Sequence, residues 1–439
     1  MCSRFGGAPR SAAAPRFGGA PRSAAAIVLV VTSLLAVIAL AGCARHNEWI
    51  TFRGDGGRGH SRNAMTPPLG IRWELSLQTG DRSSFAFNNL IVKDDTLYFG
   101  STDGNFYAMS IDTGYMDWVF RTGAAVNSVP YADETQVYFG SNDGHVYALE
   151  RQSGEEVWRF NVGRTVQSTV IGYKDLVVFS GDGGGIWFVT RDGELEHMHP
   201  NPVWHRVTLQ VMDGMMYMVP GPTENPRTLG VYDVTTHDHR WLLPNEIMSA
   251  LWYSFPAVTR SHMITQTSRV TGSGAEFNTW ALDRSTGRIM WSRRFEGDFA
   301  AHPPDGSMHA WMRDRTYILD YQAPAVWRDR VISASGDTVV RALNERTGAV
   351  EWETYLSRRT SSAPMISGDH IYIGVFGDTA GLPAEGAQSS RLIALSARSG
   401  RKVWQLETNG AILSPPVVAG RYMVFGTDRN YVYVLERVL

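Results

Sequence analysis

The residues best spaced for chemistry in this 439-residue sequence are histidines. His197-x-His199 and His237-x-His239 each set two imidazoles two residues apart, so on a strand each pair would share a face and could chelate a metal. Spacing brings no carboxylate or third histidine to either pair, and both fall at turns, so structural histidines are the simpler reading. Arg53-Gly54-Asp55 spells a cell-adhesion tripeptide. Asp103-Gly104 and Asp143-Gly144 resemble calcium-loop fragments, but no acidic spacing of that kind follows, and hairpin turns account for both. Neither a Gly-x-Ser-x-Gly elbow, a His-Glu-x-x-His helix nor a phosphate loop occurs. The only cysteines are Cys2 and Cys43, so nothing beyond residue 43 can form an internal disulfide or a zinc–thiolate site. A formal net charge of −2 supplies no basic field for nucleic acid. No catalytic residue, cofactor or metal is therefore expected.

Cys43 has chemistry of a different kind. The apolar run Ile27–Leu40 follows Arg4, Arg10, Arg16 and Arg22 with no acidic residue before it. That is the charge pattern of a signal peptide, and the run is short for a membrane span. It ends in Leu40-Ala41-Gly42-Cys43, which resembles a bacterial lipobox with cleavage before the cysteine and lipid attachment on Cys43. Ala44, not aspartate, comes next, which in a two-membrane bacterium resembles an outer-membrane address facing the periplasm. Arg4–Ala14 recurs at Arg16–Ala26, a tandem duplication inside the signal region. The expected organisation is a lipoprotein signal peptide over 1–42, a tether and lead-in over 43–70, and one folded domain over 71–439.

The elements of that domain are read from an internal repeat. Val137–Glu150 (VYFGSNDGHVYALE) matches Leu97–Ser110 (LYFGSTDGNFYAMS) almost position by position. Each copy continues into a Thr-Gly or Ser-Gly turn with a tryptophan four residues after the glycine. The step gives Trp118, Trp158, Trp291, Trp352 and Trp404; Trp241 keeps the place after the glycine-free turn 235–238, His197 after Asp192-Gly193, and Trp73 stands alone at the front, making eight anchors. Such regularity marks blade-packing residues; scattered sugar-stacking platforms would not recur at one step. In the second copy four apolar runs are expected as strands: 126–131, 136–141, 145–150 and 156–161. Tyr147 and Leu149 would face one way, Val146 and Ala148 the other, as in strands buried on both faces. The chain ends with three such strands and begins with an orphan fourth over 71–77. An all-β, eight-bladed propeller of four-stranded antiparallel blades is predicted, closed by pairing of N-terminal and C-terminal strands.

The phrase strand, Asp-Gly, Tyr-Ala-Leu, Thr-Gly, Trp resembles the repeat of the pyrroloquinoline-quinone-type propellers. The lead-in Trp49-Ile-Thr-Phe-Arg-Gly-Asp55, then Pro67-Pro68 and Trp73, resembles that superfamily's opening. The resemblance implies two kinds of protein. One is the quinone-dependent dehydrogenases, whose alcohol type holds its quinone over adjacent cysteines beside calcium; this chain has no such pair beyond residue 43. The other is lipid-anchored single propellers, including a subunit of the machinery that folds β-barrels into the outer membrane. That second kind implies a non-enzymatic scaffold whose partner is a protein, such as a β-barrel assembly component. A propeller binding a sugar, a peptide or another small ligand is the alternative.

Function is expected where the repeat is interrupted. Numbering strands A to D from axis to outer edge, B–C turns and D–A links share one rim, and A–B and C–D turns share the other. Pro220–Arg227, Arg269–Phe277 and Phe376–Ser390 lengthen B–C turns, and Glu296–Tyr321 lengthens a D–A link, so all four insertions share a rim. The candidate partner-binding residues are Trp311, Arg313, Arg315, Tyr317 and Tyr321, with Leu382 and Glu385 from the third loop. Trp, Tyr and Arg are the types that dominate interface energy.

Overall fold

The computed structural model describes residues 48–438 apart from 55–56, 77–89, 183–184, 201–207, 220–227, 245–251, 272–273, 298–322, 335–337 and 378–388. Eight antiparallel sheets follow one another along the chain and form the blades of a propeller ring. Blades 1 to 7 span 91–121, 131–161, 171–199, 208–244, 252–297, 325–355 and 365–408. Blade 8 combines Val417–Ala419, Tyr422–Gly426 and Tyr431–Arg437 with Leu69–Ser76 from the other end of the chain. Trp73 stands opposite Val434 in that closing ladder, which removes the open edge each end would otherwise carry.

The inner three strands of each blade are buried on both faces because each blade is sandwiched between two others. Tyr147 and Leu149 pack with Phe106 and Ala108 of blade 1, whereas Val146 and Ala148 pack with Val177 and Phe179 of blade 3. The outer strands alternate exposed and half-buried, as in Glu156–Asn161. The inner strands are shorter than their apolar runs predict: of the expected 126–131 only Tyr131 joins the ladder, together with Ala132. Val126 and Val129 are buried without being paired in that ladder. Val126 N–H donates instead to Ser101 O of blade 1 at 2.9 Å, and Ser128 Oγ accepts from Gly140 N at 2.7 Å. Gly100 and Gly140 permit this lacing, since a Cβ on either would sit 2.3 Å from a methyl of Val126 or Val166.

The tryptophans join blade to blade. At six seams the indole Nε1 of one outer strand donates to a carbonyl of the next blade's C–D turn, at 2.7–3.3 Å. The indole lies on that turn's left-handed glycine: Trp73 on Gly114, Trp118 on Gly154, Trp158 on Gly193, Trp241 on Gly287, Trp291 on Gly348 and Trp352 on Gly400. The Gly-to-Trp step visible in the sequence thus joins a glycine to the tryptophan of its own blade, while the contact joins it to the blade before. Trp404 points at blade 8, where the corresponding turn is the gap between the chain's two ends, and it packs on the apolar cluster there. Trp291 is buried and the other six are half-buried, Trp73 among them.

Axial plug and candidate partner-binding rim

The described residues 48–54 and 57–65 fold into the ring. Trp49 bridges Val92 through Trp49 N to Val92 O at 2.8 Å and Val92 N to Trp49 O at 3.0 Å, running antiparallel to the inner strand of blade 1. Lys93 Nζ binds Glu48 at 2.6 Å and Glu134 at 2.8 Å, fixing the entry point at the A–B rim. Phe52 shares an apolar cluster with Val129, Phe255, Ala323 and Ala363, which lead into the inner strands of blades 2, 5, 6 and 7. Only the axis is common to blades so far apart around the ring. The chain reverses through left-handed Arg53, Gly54 and Gly57. It returns with Arg58 O accepting from Val326 N at 2.9 Å and His60–Ser61 pairing in parallel with Ile366–Ser367, a fifth strand on blade 7. Met65 closes the return, its N–H on Ser367 Oγ at 2.7 Å and its carbonyl on Tyr372 OH at 3.0 Å. Residues 48–54 and 57–65 therefore form the two arms of a hairpin down the central channel, with Arg53 at the D–A end.

Arg53 is the tip's charged anchor, with 1% of its surface exposed. Its guanidinium donates to Pro324 O at 2.7 Å, Pro364 O at 3.2 Å and Gly57 O at 3.3 Å, so it ties the inner ends of blades 6 and 7 to the hairpin. Burial lowers its pKa to about 9, which leaves it protonated at neutral pH. A side chain so enclosed cannot serve an adhesion tripeptide. Periodicity did not find this site; the single signal was a charged residue inside an otherwise apolar lead-in, Trp49-Ile50-Thr51-Phe52-Arg53.

The candidate rim is partly described. Trp311, Arg313, Arg315, Tyr317, Tyr321, Leu382 and Glu385 lie outside the described residues, as does Cys43. Of the stretch expected as a longer B–C turn in blade 5, Arg269–Phe277, residues 269–271 and 274–277 are ladder instead. His262–Thr271 and Gly274–Asp283 pair from end to end, and Ile289–Gly297 follows alongside, taking Glu296 into strand. Blade 5 thus has ten-residue B and C strands where blade 2 has five and six. The extra length raises the hairpin about 15 Å above the rim. Glu276 and Arg294 pair at 3.0 Å along it, and Trp280 Nε1 donates to Thr267 Oγ1 at 2.8 Å. The β-branched residues Thr265, Thr267, Val270 and Thr271 before Gly272-Ser273-Gly274 could have marked a hairpin. On the opposite rim Glu155 and Arg401 are exposed in short C–D turns. Asp103 and Asp143 each close their own B–C turn, accepting from Tyr107 OH at 2.6 Å and Tyr147 OH at 2.8 Å.

The two histidine pairs, separated by forty residues in sequence, meet at the seam of blades 3 and 4. His197 stacks on His237 with centroids 3.8 Å apart, and His199 meets His239 edge-on at 5.1 Å. Their rings stack instead of converging, and among the described residues no group of three or more His, Cys, Asp or Glu is placed to hold a metal ion.

No curated protein matches the chain in sequence. Several solved structures share its fold. BamB from Moraxella catarrhalis is 16% identical with a TM-score of 0.60, over 84% of this chain and 100% of that one. The quinohemoprotein alcohol dehydrogenase from Comamonas testosteroni is 16% identical with a TM-score of 0.65, over 90% and 81%. A europium-containing methanol dehydrogenase is 12% identical with a TM-score of 0.60, over 89% and 98%. At these identities the likeness establishes the propeller and leaves the activity to other arguments. The family model described as outer membrane protein assembly factor BamB matches residues 64–208 and 257–411, most of the ring on both sides of blade 4. By that match the chain belongs to the BamB family of propellers built from pyrroloquinoline-quinone-type repeats.

Proposed function

We propose that this chain is a non-enzymatic, lipid-anchored scaffold that faces the periplasm and binds a protein component of outer-membrane β-barrel assembly. The observation that carries the reading is the family match over both sides of the ring. The cysteine count supports its non-enzymatic part: the adjacent pair over which alcohol-type quinone enzymes hold their cofactor has no counterpart beyond Cys43. The lipobox supports its membrane part. Glu48 lies five residue steps beyond Cys43, a reach of at most about 18 Å. A lipid on Cys43 therefore ties the A–B rim, where Glu48 enters the ring, to the membrane and leaves the rim of the insertions for a partner.

Replacing Cys43 with alanine releases the protein from the membrane fraction and changes its mobility on a gel. A variant that stays in the membrane with unchanged mobility contradicts the anchor.

The rim assignment has its own test. Trp311→Ala and Arg313→Ala together reduce recovery of the crosslinked partner at least about tenfold, the scale of interface hot spots. Changes at Glu155 and Arg401 on the other rim leave recovery unchanged. Circular dichroism and thermal melts establish beforehand that both sets fold. If the Glu155 and Arg401 changes abolish recovery while the others do not, the partner uses the opposite face.

A further inference from the structure

The eight seams of the ring are not equivalent. Six are held by an indole lying on a left-handed glycine and donating to a backbone carbonyl. The seam of blades 3 and 4 keeps this arrangement and changes its chemistry. His197 occupies the place of the tryptophan, and His237, at φ 61°, occupies that of the glycine. Phe188 of blade 3 and Tyr232 of blade 4 flank the stack, both fully buried. Tyr232 OH lies 3.3 Å from His197 Nε2 and 3.2 Å from His237 Nδ1. When the hydroxyl gives its one proton to either ring, that ring presents a lone pair and the other can present an N–H. In that pairing the ring that accepts is a neutral imidazole. His199 extends the seam outward, with its ring 4.6 Å from Tyr232 and 5.1 Å from His239.

We propose that the blade 3–blade 4 seam is a proton-sensitive joint, closed when its histidines are neutral and loosened when they take up protons. Protonation removes the acceptor that Tyr232 uses and sets two cations in stacked rings, whereas a tryptophan seam has nothing to titrate. Two carboxylates here act against the effect or are already engaged. Glu196, on the outer strand of blade 3, favours the charged form of His197. Asp233, at the blade 4 turn, is held by Arg240 at 2.5 Å and by the N–H groups of Thr235 and Thr236. Asp238, between the two histidines of blade 4, is exposed.

The direction of the pH effect follows from which state binds protons more readily. Burial, then the neighbouring His237, lowers the pKa of His197; burial, then His239, lowers that of His199. Each is depressed from an ordinary value of 6.5, so the unfolded or opened seam protonates first. The contribution to stability is complete above that ordinary value. It is lost as pH falls through it toward the folded pKa values, so the seam weakens on acidification.

Hydrogen exchange of the intact protein tests this, read as protection factors so that the pH dependence of intrinsic exchange cancels. Between pH 7.5 and 5.5, peptides over 186–199 and 228–244 should lose at least about tenfold in protection, the change made by one pH unit of linkage. Peptides over 105–121 and 145–161, which span the Trp118–Gly154 seam, should keep theirs. The double substitution His197→Trp with His237→Gly installs the chemistry of the other seams and should abolish the difference. Should that variant fail to fold, His199→Gln with His239→Gln should shrink it. Equal protection at both pH values at the histidine seam, or a pH response that survives the double substitution, overturns the proposal.

Discussion

Deleting Leu69–Ser76 leaves a chain that does not close its ring and is not recovered as a soluble monomer. The strand supplies the fourth member of blade 8, pairing along Tyr431–Arg437 from Leu69↔Arg437 to Ser76↔Tyr431. Without it, seven residues of ladder edge lie open, and an open apolar edge templates association with other chains. The seam to blade 1 also loses Trp73, whose Nε1 donates to Ile111 O at 2.8 Å over Gly114. Arg72, which bridges Asp112 at 2.8 Å and Glu436 at 3.1 Å, goes with it. The effect exceeds that of any single side chain because the ladder, the docked indole and the ion pairs are lost together. Trp73→Ala alone costs about 2 kcal/mol, because the indole is half-buried and contributes part of its area and one hydrogen bond. Size-exclusion chromatography and thermal melts of the deletion check the expectation. A monomer with the parent Tm would mean that the ring closes by another route.

Arg53→Met has the largest expected effect of any single substitution. Methionine fills much of the volume but donates nothing, so the carbonyls of Pro324, Pro364 and Gly57 lose their donor inside the ring. Leaving buried acceptors unpaired costs about 1–3 kcal/mol each, and relief of the buried charge's desolvation offsets part of that. A net loss of about 3 kcal/mol is expected, a fall in Tm on the order of 5 °C for a ring this large. Arg53→Lys keeps the charge and loses the planar fork, and should fall between parent and methionine variant. Unchanged melting in both variants would show that the hairpin in the channel is not anchored by this residue. Phe52→Ala at the adjoining apolar contact would then separate a weak anchor from a weak plug.

What the sequence disclosed depended on repetition. Turns, glycines and outer-strand tryptophans recur at fixed steps, so blade number, strand order and closure by 71–77 were legible from one chain. The inner-strand ends were not, since Val126 is laced to the preceding blade and Val129 to the following one, and both read as strand. Nor was the axial hairpin, which occurs once and has no second copy to align. His197 was legible as a stand-in for its blade's tryptophan, and His237 as half of a histidine pair. Their contact was hidden because the seam joins an outer strand to the next blade's turn, forty residues away. Arg269–Phe277 read as an insertion against the repeat length, whereas residues 269–271 and 274–277 continue the ladder of blade 5.

Crosslinking the wild-type protein in intact membranes, then identifying what is recovered with it, tests the scaffold reading most directly. The account predicts a β-barrel assembly protein with soluble periplasmic domains, recovered in preference to abundant envelope proteins of similar charge. Recovery of sugar polymers or peptidoglycan fragments with no such protein would contradict it and point to a propeller that binds small ligands.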